Sequence, residues 1–242
     1  TAVAGSGGGT FTVLANGSYT FNPGTAFDDL AAGATRVTTI TYTISDGEGG
    51  TDTATVTMTV TGTNDAPVVS SPIADLTRND GDAVTINAGA AFSDVDGPGA
   101  TYSVTGLPAG LSIDTSTGVI SGIIDNAASV TDPFTIQVTR IDGAGGSVTE
   151  TFILSVLNPV PAAVDDTNAG GDSSTLSGNV LAGTISSGTG VGGADSDPDG
   201  DTIVVTTVQS GATSVAAGAP LGLTYGSITV GSNGAYTFTP NA

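Results

Sequence analysis

The stretch "ADSDPDGD" (194–201) sets Asp195, Asp197, Asp199 and Asp201 at alternating positions, with Gly200 permitting a sharp backbone turn. Oxygens spaced in this way converge on one hard cation in the first half of an EF-hand loop. The twelfth position here is Thr206 rather than Glu, and Ile203, Val204 and Val205 begin a strand where an EF-hand enters a helix. The pattern is therefore a calcium loop on a β scaffold, and its bland counterpart is a solvated acidic turn. A smaller version, "SDVDGPG" (93–99), carries Asp94 and Asp96. A third oxygen-rich point lies in "TGTNDAPVVS" (61–70), where Asn64, Asp65 and then Pro67 halt a run of alternating threonines. An Asx-turn ending a strand explains that pair locally.

Charge gives these carboxylates their importance. The 242 residues carry 23 acidic groups against three arginines, Arg36, Arg78 and Arg140, for a net charge of −20. Such a surface repels nucleic acid and anionic membranes, which excludes both as partners. Carboxylates within a Debye length, about 8 Å, oppose compaction unless something neutralises them, and divalent cations do so where bases are scarce. Catalysis is disfavoured: there is no His, Cys or Lys to act as base, thiolate or Schiff-base amine. The adjacent pairs Asp28-Asp29 and Asp165-Asp166 point to opposite faces of a strand, unlike the facing carboxylates of a glycosidase. The glycines of "AGSGGGT" (4–10) lack the Lys and helix of a phosphate loop. No apolar run is long enough to insert into a membrane. No initiating Met is present, and the chain is expected to be a piece of something longer.

The elements that must position these groups are strands. In "TDTATVTMTVT" (51–61) Ala54, Val56, Met58 and Val60 alternate with threonines, and "TTITYTIS" (38–45) does the same with Ile40, Tyr42 and Ile44. One buried and one wet face, built from β-branched residues, predicts antiparallel strands. "TFTVLANGSYTF" (10–21) predicts a hairpin, with Asn16-Gly17 supplying positive φ angles. No segment shows a helical stripe, so the fold class is all-β. "GTFTVLANGSYTFNP" (9–23) recurs as "GSITVGSNGAYTFTP" (226–240), identical at nine of fifteen positions. The chain thus reads as a window on a repeating array. "SDGEGGTDTATVTMTVTGTNDAP" (45–67) and "IDGAGGSVTETFILSVLNPVP" (141–161) share an Asp-Gly-x-Gly-Gly turn, a last strand and a closing Asn-x-x-Pro. Boundaries near Ala66 and Val160 give three parts: the C-terminal part of a domain (1–66), a complete domain (67–160), and the N-terminal part of a third (161–242). Their lengths and strand spacing suit β-sandwiches.

Through "NGSYTF" and the 45–67 run, residues 9–67 resemble the C-terminal half of a VCBS repeat. Residues 67–160, with "FSDVDG" and "LPAGLSIDTSTGVISG", are similar to the putative-Ig or dystroglycan-type cadherin-like family. Residues 161–242, with "AVDDT", "GNVLAG", "DPDGDTIVVTTV" and "GAYTFTPNA", resemble the N-terminal half of another VCBS or cadherin-like module. The resemblance implies tandem Ig-like/cadherin-like sandwiches in large secreted proteins of the bacterial surface, with a cation held between successive domains. Its ligands would be Asn64 and Asp65 in the linker, Asp94 and Asp96 in the following loop, and Asp142 before the last hairpin. Asp46 matches Asp142 in position. At the second junction Asn158-Pro159 replaces Asn-Asp, and Asp165, Asp166 or Asp172 would have to compensate. Asp80 or Asp82 in "RNDGDAV" would supply an acidic ligand toward the far end of the central domain. The expected function is a calcium-rigidified extender of a large adhesin or matrix protein, with Ca2+ as cofactor and neighbouring domains of the array as partners. A subunit of an extracellular filament, joined to identical subunits by strand addition, is the alternative. A carbohydrate-binding module is a further one, with Phe11, Tyr19, Phe21, Tyr236 and Phe238 read as a sugar platform rather than core.

Overall fold

The computed structural model describes residues 1–97 and 99–241. The chain begins with β1 (Ala2–Ala4), β2 (Thr10–Val13), β3 (Tyr19–Asn22), β4 (Thr35–Ser45) and β5 (Thr51–Thr61). The middle contributes β6 (Val68–Val69), β7 (Leu76–Asn79), β8 (Ala83–Asn87), β9 (Phe92–Ser93) and β10 (Thr101–Thr105). It continues with β11 (Leu111–Ile113), β12 (Val119–Ile123), β13 (Phe134–Ile141) and β14 (Ser147–Leu157). Last come β15 (Leu176–Asn179), β16 (Thr184–Ser187), β17 (Thr207–Ser210), β18 (Thr213–Ala216), β19 (Pro220–Leu223), β20 (Gly226–Val230) and β21 (Ala235–Pro240). Only two single 3₁₀ turns, Ala88–Ala91 and Ala128–Thr131, interrupt the strands among the described residues, so the all-β expectation holds.

Packing divides the chain into two compact units. One comprises Thr1–Leu76, Ala83–Gly122 and Pro133–Leu154; the other comprises Thr77–Asp82, Ile123–Asp132 and the residues from Ser155 onward.

In the first unit β1, β2 and β3 form one antiparallel sheet, and β4 and β5 pair over eleven rungs from Thr35↔Thr61 to Ser45↔Thr51. Phe11, Phe27, Leu30 and Ile40 are buried there. The apolar face predicted for β4 is buried only as far as Ile40, for Tyr42 and Ile44 are 41% and 60% exposed. The reason is length: eleven-residue strands overhang a sheet whose strands have three or four residues. Thr38 is fully buried as well, and its Oγ1 donates to the Gly8 carbonyl (2.8 Å) and accepts the Gly7 N–H (3.1 Å). The β2–β3 hairpin forms, with a turn different from the one predicted. Gly17 alone has positive φ (85°), and Leu14 O accepts the Gly17 N–H at 3.0 Å. The Asn16 side chain instead accepts the Ser18 N–H at 3.1 Å, which holds an ordinary φ at Asn16 and needs one left-handed residue rather than two.

The same unit holds β10, β13 and β14 in sequence across one sheet, and β11, β12 and β8 across another. Alternate residues of these strands turn inward, so Val84, Ile86, Ile120, Ile136, Val138, Phe152 and Leu154 are buried. In the second unit the sheet order is β16-β15-β21-β20-β19, with β17 and β18 a separate pair. The end of β7 reaches β14 there, where the Asp80 N–H donates to the Leu157 carbonyl (3.0 Å).

Candidate functional site

The sequence candidates fall into two groups, one in each unit. In the first unit, β13 ends at Ile141 and the chain turns through Asp142-Gly-Ala-Gly-Gly into β14. Asp142 Oδ1 accepts the N–H groups of Ala144, Gly145 and Gly146 at 2.8, 3.0 and 2.9 Å. Gly143 and Gly145 adopt the positive φ angles (78° and 113°) that wrap the loop around the carboxylate. Gly146 leaves room for that carboxylate, since a Cβ there would run into Asp142 Oδ2 and come within 2.9 Å of Ala66 Cα. Asp46 repeats the device, accepting Glu48 and Gly50 N–H at 2.8 and 2.9 Å. The shared motif is thus in the first place a self-capped turn. Asp142 goes further, because its Oδ2 accepts Asn64 Nδ2 at 2.9 Å and so ties the linker to the turn. That bond, with those from the backbone, holds the Asp142 carboxyl below the usual carboxylate range against the opposing effect of burial.

Beside this lock lies the Asp94–Asp96 loop. Asp65 engages it through its backbone, its N–H donating to Asp96 Oδ2 at 3.0 Å. Arg140, near the end of β13, reaches Asp94 Oδ2 at 3.3 Å, and both side chains are under a tenth exposed. Asp94 Oδ1, Asp96 Oδ1 and Arg140 Nε are buried without hydrogen-bond partners. Burial first, and the neighbouring Asp96 carboxyl next, push the Asp94 carboxyl above its ordinary value, with Arg140 pulling the other way. Two desolvated carboxylates therefore face one arginine. Asn64, Asp65, Asp94, Asp96 and Asp142 do assemble; Arg140 was not foreseen. A cation forty-six positions after Asp94 has no local pattern to announce it.

In the second unit Asp80 is 2% exposed; its Oδ1 accepts the Ser129 N–H at 3.0 Å and its Oδ2 has no partner. Asp199 Oδ2 is likewise buried and unpartnered. The two segments meet, because Asn126 Nδ2 donates to the Asp199 carbonyl and a Cβ on Gly81 would lie 3.0 Å from Asp199 Cβ. Asp197 Oδ1 accepts the N–H groups of Asp199 and Asp201 at 3.2 and 3.3 Å. The closeness of the Asp197 and Asp199 carboxyls is the main cause that lowers the first and raises the second. Asp195 is turned aside, accepting the Val164 N–H at 2.8 Å, and Asp201 is exposed. Asp82 accepts the Asn79 N–H (2.8 Å) and Asp166 the Gly193 N–H (3.2 Å), both in local turns. The alternating run thus divides between several tasks, with Asp197 and Asp199 kept together. Asn126 and Ser129 went unforeseen, since an Asn or Ser after a strand reads as turn chemistry.

Among the described residues no three acidic side chains gather closely enough to hold a metal by themselves. Each cluster instead offers buried, unpartnered carboxylate oxygens: Asp94 and Asp96 in one, Asp80 and Asp199 in the other. These suit a hard cation that takes six to eight oxygens and draws the remainder from carbonyls and water. A buried carboxylate oxygen without donor or cation is costly, so the donor set fits calcium chemically. The aromatic candidates divide: Phe11 is fully buried with its ring 4.7 Å from that of Phe21, whereas Tyr19 is 47% exposed.

Comparison with known proteins is consistent with this architecture. Residues 66–157 match the family model described as "Putative Ig domain", and residues 1–59 match "Bacterial Ig domain". No curated protein matches the chain. Among solved structures, mouse cadherin-23 EC22-24 aligns over 100% of this chain and 75% of its own, at 12% identity and TM-score 0.46. The human desmocollin-1 ectodomain aligns over 100% of this chain and 45% of its own, at 13% identity and TM-score 0.35. Protocadherin gamma B2 domains 1-5 align over 97% and 44%, at 13% identity and TM-score 0.38. The chain spans only 23% and 21% of two Bacteroides fragilis structures that also match. The chain is all-β and carries Ig-like β-sandwich domains in tandem, over residues 1–59 and 66–157.

Proposed function

We propose that this chain is an extender segment of a large, repetitive extracellular adhesin or matrix protein, stiffened by calcium at its domain junctions. The observation that carries the reading is the buried Asp94–Asp96 pair, with two unpartnered oxygens, set against the linker residues Asn64 and Asp65. Asp80 and Asp199 repeat the theme in the second unit. Bacterial Ig domains typically occur in extracellular and surface proteins, which supports placement on the bacterial surface. The VCBS-like character of the first part and a purely structural, non-catalytic role belong to the same reading. Burial of Phe11 against Phe21 speaks for core packing over a sugar platform.

Bound calcium would supply positive charge that neutralises the junction carboxylates. The chain's own part is to present them desolvated and to fix the linker through Asn64 and Asp142. Extracellular modules bind calcium with dissociation constants of about 10⁻⁴–10⁻³ M. Such sites stay empty in a cytoplasm and fill outside it, which couples stiffening to export. At about 10 mM calcium each site adds roughly 1.4–2.7 kcal/mol. The test is a thermal melt in 10 mM calcium against one in chelator, with magnesium as control. Calcium should raise the midpoint clearly and magnesium much less; equal midpoints in calcium and chelator would reject the metal at every site named.

A further inference from the structure

The two acidic clusters offer an incoming cation nearly the same oxygens. Asp94 Oδ1 and Asp96 Oδ1 are buried without a partner in the first unit, as Asp80 Oδ2 and Asp199 Oδ2 are in the second. The companion oxygens are mostly engaged. Asp94 Oδ2 meets Arg140, Asp96 Oδ2 accepts the Asp65 N–H at 3.0 Å, and Asp80 Oδ1 accepts the Ser129 N–H at 3.0 Å. Asp199 Oδ1 has a longer contact, 3.4 Å, from the Asp201 N–H. With the donors so closely matched, what separates the clusters is charge.

The first cluster already holds a cation of its own. The Arg140 guanidinium lies 3.3 Å from Asp94 Oδ2, and both side chains are under a tenth exposed. Arg140 stands on β13 between two neighbouring strands, opposite Tyr102 of β10 and Val148 of β14. Its backbone therefore cannot retreat from the pocket without breaking the sheet.

The second cluster has no such resident. Among the described residues no ion pair reaches Asp80, Asp197 or Asp199. Arg78, two positions before Asp80, donates instead to the Thr77 carbonyl at 2.7 Å. Asp197, whose Oδ1 accepts the Asp199 N–H at 3.2 Å, brings a further negative charge beside Asp199. A divalent ion entering here meets carboxylates alone. In the first cluster the same ion approaches a fixed guanidinium that shares its ligands. Repulsion between charges a few ångströms apart is large even at an effective dielectric of about 20.

We propose that the two sites fill in order, the Asp80–Asp199 cluster first and the Asp94–Asp96 cluster only at higher calcium, with Arg140 setting the interval. The inference rests on the calcium reading and adds its regulation: stiffening comes in two steps, each at its own calcium concentration.

The experiment is a calcium titration of the full chain, first stripped with chelator, followed by nuclear magnetic resonance at two backbone amides. The Ser129 N–H reports on Asp80 and the Asp65 N–H on Asp96. In the parent chain Ser129 should reach its midpoint at a calcium concentration at least about 10-fold below that of Asp65. Arg140→Met should lower the Asp65 midpoint by at least about 10-fold and leave that of Ser129 in place. Asp80→Asn should weaken the Ser129 step alone. Coincident midpoints in the parent, or Asp65 responding first, would overturn the ordering and leave the calcium reading standing, whether or not the Arg140 variant folds. An Asp65 midpoint unmoved in folded Arg140→Met would do the same. If neither amide responds to calcium, the calcium reading falls and the ordering falls with it.

Discussion

Replacing Arg140 by Met removes the one positive charge that the structure sets against Asp94 and Asp96 while keeping most of the side chain's volume. Coulomb attraction across the 3.3 Å between Arg140 and Asp94, at an effective dielectric of about 20, is roughly 5 kcal/mol. Breaking a buried pair by removing one partner generally costs about 3–5 kcal/mol, because the remaining charge stays desolvated. Arg140→Met in chelator should therefore lose about that much stability, most of what a small domain possesses. At about 4–8 °C per kcal/mol for a domain of this size, the midpoint should fall by well over 10 °C. Calcium should then restore the variant more than it stabilises the parent, because the cation replaces the missing guanidinium charge. Urea titrations of parent and variant, each with calcium and with chelator, give the four numbers needed. A loss below about 1 kcal/mol in chelator would mean that water already reaches these carboxylates. The same calcium increment in both proteins would mean that the ion does not sit beside Asp94 and Asp96.

Further expectations follow from the Asp-Gly-x-Gly-Gly turn. Gly146→Ala should destabilise by about 1–3 kcal/mol through overpacking against Asp142 and Ala66, read by urea denaturation. Gly145→Ala, which meets open space but needs a positive φ, should cost only about 1 kcal/mol in the same assay. The Asp142 carboxyl is held below its ordinary value, so its contribution is present above the unfolded carboxylate range and lost as pH falls through the folded value. Asp142→Asn should flatten that acid limb in melts between pH 2 and 5, and an unchanged limb would assign it to other groups. Asp94 has the opposite sign: its raised carboxyl favours the protonated fold, so its penalty grows as pH rises through the ordinary range toward the folded value. Asp94→Asn should remove that countertrend.

Local information was legible in the residues and long-range information was not. Alternating threonines announced β4 and β5, and the repeated Asp-Gly-x-Gly-Gly announced two equivalent turns, because both patterns are set within a few residues. How far the apolar face of β4 is buried was not legible, since that depends on the length of the sheet beneath it. Asn16 illustrates a finer limit, for the same dipeptide serves two turns and the choice between them rests on a side-chain bond to Ser18. The clusters required contacts between residues 78 apart, as with Asn64 and Asp142, or 73 apart, as with Asn126 and Asp199. Asp residues are plentiful enough here for composition to suggest cation binding without telling which carboxylates share a site. Arg140 completes the first cluster because β13 places it there, a fact of register rather than motif.

The register of β4 and β5 also governs how the chain responds to a pull. Thr35 and Thr61 lie opposite each other at one end of the ladder, so the chain enters and leaves the hairpin side by side. Tension transmitted along the backbone therefore loads the rungs one at a time, like the teeth of a zip, instead of shearing all eleven together. Opening Thr35–Thr61 in this way releases a slack of about 3.3–3.6 Å per residue. A hairpin loaded in this way should open at a lower force than one whose rungs are sheared together.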